Sequence, residues 1–332
     1  MPLPHMHASL PPPACTQGTV VPGPGSILVR RGPLPRTSQR RLRTACSRES
    51  PDHDQNQAPA PVSVTLPIRM NTIPHPRPMR YFFYEDVTRA VMQALDDGIL
   101  RMSVRCTVPE LNTDFDVYRV GTLLEMVREM ATALAQDGKR VKVCVQQSLG
   151  EGIFAGMPMM LSGVARILKA MDWGEAGEWM EFGAVGAGEV ESADAFVIVA
   201  PQNMVGNSIL PFLDAMVSAA GAAGKPVVLL NANLGDIQSS SGVMGVRNRQ
   251  SRLDFAATFQ VVYHFRLLYS GPFMYPIVGA LRYSHGGRWE VYKRVPILAE
   301  KTEVYTHLAS FDTQPGSTAI TAAFHAFQRS QW

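Results

Sequence analysis

The stretch from residue 195 to residue 238, AFVIVAPQNMVGNSILPFLDAMVSAAGAAGKPVVLLNANLGDIQ, carries the strongest structural pattern in the chain. Residues 195–200 and 227–230 are apolar runs with β-branched side chains, which is typical of strands that are buried on both faces. Apolar residues recur at helical spacing between the two runs, and Gly224 marks the end of that helix. The stretch therefore predicts two parallel strands that are joined by a right-handed helical crossover.

Amide-rich loops follow both predicted strands. The carboxyl ends of parallel strands share one edge of a sheet, where open α/β sheets bind ligands, so these side chains are candidate ligand- or partner-binding residues. They are Gln202, Asn203 and Asn207 after the first strand, and Asn231, Asn233 and Asp236 after the second. Asn207 is also a candidate N-cap for a helix that begins at Ser208.

Three further candidates, Arg247, Arg249 and Arg252, follow a segment rich in serine and glycine. Guanidinium groups hold phosphates and carboxylates through paired hydrogen bonds, so these arginines could bind an anionic ligand or partner. The alternative interpretation is that they pair with Asp236, Asp254 and other acids inside the fold, or that they form a solvated face.

Motifs for catalysis, metals and cofactors are weak or missing. No CxxC, HExxH or GxSxG pattern occurs, so the sequence predicts no catalytic residue, no metal site and no cofactor, and the cysteines are interpreted as buried free thiols. Gly150, Gly152 and Ala155 match a dinucleotide fingerprint, but Glu151 places negative charge where phosphates would lie, and an ordinary strand-to-helix loop is the alternative. Residues 221–225 resemble half of a phosphate-binding loop but follow a helix, so they are interpreted as a helix C-terminus.

Charge is distributed unevenly along the 332 residues, whose formal net charge is +3. The first 48 residues contain seven arginines and no acid, so the rest of the chain is slightly acidic and no nucleic-acid binding is expected of it. An N-terminal segment that has arginines and hydroxyl side chains but no acidic residue is typical of an organelle transit peptide. The alternative interpretation is a basic arm that binds RNA or acidic lipid. No apolar segment is long enough to predict a transmembrane helix.

Composition divides the chain into three parts. Residues 1–50 are predicted to be an organelle transit peptide, and residues 51–77 a disordered linker because prolines recur in them. Residues 78–332 are predicted to form a single domain, in which helical and strand patterns alternate up to about residue 240 and short strands joined by turns follow. The expected fold class is α/β: three layers, a mostly parallel sheet with helices on both faces, and an antiparallel C-terminal extension.

Five phrases between residues 201 and 294 carry a family resemblance. They are PQNMVGNSILPFLDAMV, KPVVLLNANLGDIQSSSGVMGVRNRQSRLDFAATF, YHFRLL, MYPIVGALRY and WEVYKR. They resemble a domain of unknown function of plants, algae and cyanobacteria, which includes a photosystem II assembly-factor group and a domain appended to a plastid adenylate kinase. The resemblance implies plastid targeting and a Rossmann-like fold, and it supplies no catalytic residues.

The sequence therefore leads to two functional expectations. The first is a soluble chloroplast accessory protein, in the stroma or peripheral to the thylakoid, that acts by binding in biogenesis or regulation of the photosynthetic apparatus. Its expected partners are photosystem subunits or other assembly factors. The alternative is a nucleotide- or phosphometabolite-binding enzyme that uses the carboxyl edge of the sheet, with Asn203, Asn207, Asn231 and Asp236 orienting the ligand and the three arginines holding its phosphate.

Overall fold

A computed structural model describes residues 64–113, 116–146, 163–204, 208–238, 248–271, 276–297, 299 and 302–329. The predicted transit peptide and the candidate dinucleotide fingerprint lie outside these residues, as do Asn207 and Arg247. The described part contains six α-helices: α1 (Arg77–Asp96), α2 (Val120–Gln136), α3 (Val164–Ala170), α4 (Leu210–Ala222), α5 (Arg249–Ala257) and α6 (Ser317–Arg329).

Eleven strands lie in the same described part of the chain. They are β1 (Arg101–Thr107), β2 (Val141–Val145), β3 (Met180–Ala184), β4 (Ala195–Val199), β5 (Gln202–Met204), β6 (Val227–Leu230), β7 (Asn233–Gln238), β8 (Gln260–Tyr269), β9 (Ile277–Ser284), β10 (Trp289–Ile297) and β11 (Thr302–Phe311). Nine of them form one sheet in the order β11-β10-β9-β8-β1-β6-β4-β2-β3, while β5 and β7 pair separately. The six strands from β8 to β3 are parallel, and β9 to β11 continue the sheet in antiparallel pairs. The α/β class with a mostly parallel sheet and an antiparallel C-terminal run is thus confirmed.

Alternating residues on the strands build separate cores on the two sides of the sheet. In β4, Val197 and Val199 belong to the core that also contains the buried faces of α1, α2 and α3. Phe196 and Ile198 point the other way and pack in a second core with residues of α4. We call these sides the first face and the second face; α6 covers the antiparallel strands on the second face through Ile320.

Most element predictions match the structure, with two differences. β11 was not predicted, although it pairs with β10 over nearly its whole length. The helix expected from Ser208 begins instead at Leu210 and is preceded by Ile209. Gly224 does follow that helix in a left-handed conformation with φ of 65°, so residues 221–225 are a helix C-terminus and not a phosphate loop.

The residues just before α1 are packed against the domain. Leu66, Met70 and His75 are 3%, 0% and 3% exposed, and the backbone N–H of His75 donates a hydrogen bond to Glu110 over 2.8 Å. The Arg69 backbone N–H donates to Glu303 on β11 over 2.7 Å. The packed domain therefore begins before residue 78, where the sequence placed its start, and the described part of the expected disordered linker is a folded segment.

Candidate functional site

β1 and β6 are neighbours in the parallel part of the sheet, and the chain leaves them in opposite directions. After β1 it passes over the first face through α2 to β2, whereas after β6 it passes over the second face through α5 to β8. Diverging connections of this kind leave a crevice at the carboxyl ends of the two strands, which is where open α/β sheets bind ligands. The order of the strands therefore makes this edge of the sheet the candidate ligand-binding site.

The first cavity at this edge, here called the edge crevice, is lined by both polar and apolar side chains. Its polar lining residues include Arg105, Thr107, Asn112, Thr113, Tyr118 and Asn231. Burial raises the pKa of Tyr118 to about 12, so its phenol stays protonated at neutral pH. No Asp or Glu is among the described residues that line the crevice, so these walls present hydroxyl, amide and guanidinium groups.

Asn231, a predicted ligand-binding residue, lines the edge crevice but also connects β6 to β1. Its Oδ1 accepts a hydrogen bond from the backbone N–H of Cys106 over 2.7 Å, and its Nδ2 donates to the carbonyl oxygen of Cys106 over 2.9 Å. Its φ of 49° is left-handed, a conformation that Asn adopts more readily than most residues. The amide therefore extends the β1–β6 pairing one step beyond the last strand residue.

The amides that follow β4 also make bonds within the fold. Asn203 is 1% exposed; its Oδ1 accepts from the backbone N–H of Ile209 over 3.2 Å and its Nδ2 donates to the carbonyl of Leu234 over 2.8 Å. The backbone N–H of Gln202 donates to the side chain of Gln146 over 2.9 Å. Asn203 thus organises the start of α4, while its predicted ligand-orienting role stays a prediction.

The three candidate arginines are not brought together as one group. Arg252 is 4% exposed, and its Nη2 and Nε donate to the carbonyl of Gly235 over 3.1 and 3.3 Å, which ties α5 to β7. Arg249 is exposed at the start of α5 and lines a second cavity. Arg247 lies outside the described residues, as does the side chain of Asp236, although Asp236 itself is part of β7.

The second cavity, here called the arginine groove, opens on the second face between β1, β8 and α5. Its volume is about 330 Å³, and its polar lining includes Ser103, Arg105, Asn233, Arg249, His264 and Gln314. Arg105 and Asn233 line this groove and the edge crevice alike. The two cavities therefore meet at Arg105, at the carboxyl end of the central parallel strands.

Arg105 and His264 were not among the predicted site residues. They face each other directly across the parallel pair of β1 and β8. Burial, helped by the charges of Arg105 and Arg266, lowers the pKa of His264 to about 3, so its imidazole is neutral at pH 7. The sequence around Arg105 shows alternation, because the residues between the buried Met102, Val104 and Cys106 are polar. The pairing with His264 could not be read from it, since β8 lies more than 150 residues later in the chain.

The described residues contain neither a metal-binding cluster nor a membrane-crossing helix. No three His, Cys, Asp or Glu side chains come together in them as ligands for an ion, and none of their helices combines the length and the apolar character that a bilayer span requires. Cys106 and Cys144 are buried free thiols, as the sequence indicated, and burial raises the pKa of both.

Comparison with known protein families identifies the greater part of the chain. The matching segment, residues 80–322, runs from α1 into α6 and includes β1, β6, β8 and α5, which surround both cavities. The family is described as a domain of unknown function, DUF1995, and the chain belongs to it.

Proposed function

We propose that this chain is a chloroplast accessory protein that acts by binding, in biogenesis or regulation of the photosynthetic apparatus and in the manner of a photosystem II assembly factor. The resemblance of the phrases between residues 201 and 294 carries this proposal, and the acid-free, arginine-bearing first 48 residues support the location. We further propose that the parallel part of the sheet is Rossmann-like. The partners would be photosystem subunits or other assembly factors, met in the stroma or at the thylakoid surface.

Import into isolated chloroplasts tests the location. The full chain should become protease-protected and be shortened by about 50 residues if the predicted transit peptide is cleaved. A matched chain that lacks residues 1–50 serves as the control and should stay outside the organelle. Full-length protein that remains uncut and accessible to added protease would contradict the chloroplast assignment.

Native electrophoresis of solubilised thylakoids and stroma tests the binding role. The processed protein should migrate in part with photosystem intermediates, and its share in those bands should rise when photosystem II is being rebuilt after light damage. Migration as a free species under both conditions would count against an assembly role while leaving the location intact.

A second candidate function is the binding of a phosphorylated small molecule at the carboxyl edge, including the case of an enzyme that acts on it. The observation that favours it is Arg105, which lines both cavities and has no carboxylate partner among the described residues. A thermal-shift screen of nucleotides and sugar phosphates tests it, because a ligand at about 100 times its Kd stabilises a protein by about 2.7 kcal/mol. Flat melting curves across the screen would reject this candidate.

A further inference from the structure

Three basic side chains on the second face converge at the junction of β1 and β8. Arg105 of β1 lies opposite His264 of β8 in the strand register, and Thr107 lies opposite Arg266. Phe265, between His264 and Arg266, belongs to the core of the first face, so the pleat directs the two flanking side chains to the second face. Burial is the largest cause of the lowered pKa values of His264 and Arg266, and the charge of Arg105 lowers both further, as expected for neighbours on one face.

This basic cluster has no matching negative charge in the part of the chain that the structure describes. Arg105 and Arg266 form no ion pair there, and no Asp or Glu is among the described residues that line the arginine groove. Arg282 of the next strand, β9, is buried on the first face and is paired with Asp86 and Glu290, whereas Arg105 is exposed and Arg266 is half-buried. Burial also lowers the pKa of Arg266, because an unpaired charge is costly to desolvate.

His264 adds a hydrogen-bonding group that is unsatisfied. It is 6% exposed, and its Nε2 atom is buried with no hydrogen-bond partner among the described residues. The imidazole packs against Trp289 with ring centres 5.1 Å apart, and Trp289 stacks on Tyr283. A buried polar atom without a partner calls for an explanation, and a bound ion or ligand is one.

We propose that Arg105 and His264, which line the arginine groove, and Arg266, the next residue of β8 on the same face, form a binding site for a phosphate group. Two guanidinium groups supply several N–H donors and two positive charges, and a neutral imidazole can donate one more hydrogen bond through Nε2. A phosphate monoester carries nearly two negative charges and three acceptor oxygens, so it matches this set better than a carboxylate, which has one charge and two oxygens. The inference rests on the small-molecule candidate above, whose phosphate it assigns to these three residues, and is independent of the chloroplast role.

Calorimetric titration of the full chain with inorganic phosphate and with glucose 6-phosphate tests the site, with succinate as the carboxylate probe. Arg105→Gln and Arg266→Gln should each weaken phosphate binding by about 10-fold or more, the usual effect of removing a charged hydrogen-bond donor. Arg101→Gln is the matched control: Arg101 lies on the same strand and face, about 13 Å from Arg105. It should bind phosphate as the parent chain does.

His264→Phe tests the third member while keeping an aromatic ring against Trp289. Its melting temperature without ligand should stay close to that of the parent, and its affinity for phosphate should fall several-fold. Equal loss in Arg101→Gln and Arg105→Gln would show diffuse charge attraction and overturn the site, while the small-molecule candidate would stand. If succinate binds as tightly as phosphate, the proposed ligand class is wrong. If none of the probes binds, the site is rejected, and the small-molecule candidate loses the support that this site gave it.

Discussion

Asn231 has both an unusual backbone conformation and a fully used side-chain amide. Its left-handed φ of 49° and its two hydrogen bonds to the backbone of Cys106 depend on each other, because the amide reaches Cys106 from that conformation. Few other side chains tolerate the left-handed region, and none of the apolar ones could satisfy the two backbone groups. The residue at the centre of the candidate site is therefore also a structural residue.

Asn231→Ala should destabilise the protein by about 2–4 kcal/mol, because two backbone groups of Cys106 lose their partners and Ala is strained at positive φ. Urea unfolding at pH 7 measures the change. Asn233→Ala provides the control: Asn233 lines the same cavities, but no hydrogen bond of its side chain is found in the described structure, and a change within about 0.5 kcal/mol is expected. Similar losses in the two variants would refute the structural role of the Asn231 amide.

His264 should make stability depend on pH in the acidic range. Its pKa falls from 6.5 in the unfolded chain to about 3 in the folded protein, so the unfolded state binds the proton more readily between these values. Stability is therefore fully present above pH 6.5 and is lost as the pH falls toward 3, at about 1.4 kcal/mol per pH unit. His75, whose pKa is also lowered, acts with the same sign.

His264→Phe should remove about 2 kcal/mol of the stability difference between pH 7 and pH 5, because the ring no longer titrates. Denaturant midpoints at the two pH values give the result. His325→Gln, on the exposed side of α6, is the control and should leave the difference unchanged. A parent-like pH dependence in His264→Phe would mean that the imidazole is not buried as described.

The sequence located single residues better than it identified their contacts. Asn203 and Asn231 were correctly expected just after buried strands, since apolar runs and the amides that end them are local features. Their hydrogen bonds reach Leu234 and Cys106, which no local pattern can reveal. Arg105 and His264 were missed as a pair for the same reason, because only the adjacency of β1 and β8 brings them together.

At the level of elements, buried strands and helices with one apolar face were predictable, and β11 was not. Strands β4 and β6 match the apolar runs because both faces of these strands are covered. In β11 only two of the ten residues are buried, so the strand shows no continuous apolar run. It is held instead by pairing with β10, a tertiary contact that overrides the weak local signal.

An ion network links α1 to the antiparallel strands. Arg282 of β9 donates to Asp86 of α1 through Nε and Nη2 over 2.8 and 2.7 Å, and to Glu290 of β10 through Nη1 over 2.7 Å. The Tyr292 hydroxyl donates to Glu290 over 2.9 Å. Glu290 is buried and is paired with Arg282, whereas the buried Asp86 is also paired with the exposed Arg89 of α1 over 2.9 Å.

Arg282→Met should therefore cost about 3–5 kcal/mol, since the buried carboxylate of Glu290 loses its cation and that of Asp86 keeps only the exposed Arg89. Arg288→Gln is the control, because its pair with Asp312 is exposed and should contribute less than about 1 kcal/mol. Adding Asp86→Asn to Arg282→Met should recover part of the loss, as it removes one of the two buried negative charges. Urea unfolding of the parent chain and the three variants measures these differences. If Arg282→Met lowers the free energy of unfolding as little as Arg288→Gln does, the network does not stabilise the fold.

At the scale of the whole molecule, the segment from residue 64 to residue 76 connects distant parts of the fold. His75 meets Glu110, which follows β1 and also accepts a hydrogen bond from Thr122 at the start of α2. The backbone N–H of Arg69 donates a hydrogen bond to Glu303 on β11, at the other end of the sheet. Pro67, Pro74 and Pro76, three of the prolines that suggested a disordered linker, thus belong to an irregular segment that bridges the parallel and antiparallel parts.

A chain that begins at residue 78 should be less stable than one that begins at residue 64, by more than about 3 kcal/mol. The shorter chain loses the buried side chains of Leu66 and Met70, each of which contributes about 1.5–3 kcal/mol when fully buried. It also leaves the buried carboxylate of Glu110 without the N–H of His75. Urea unfolding of the two chains measures the difference, and equal midpoints would mean that the segment only lies on the surface and that the domain does begin at residue 78.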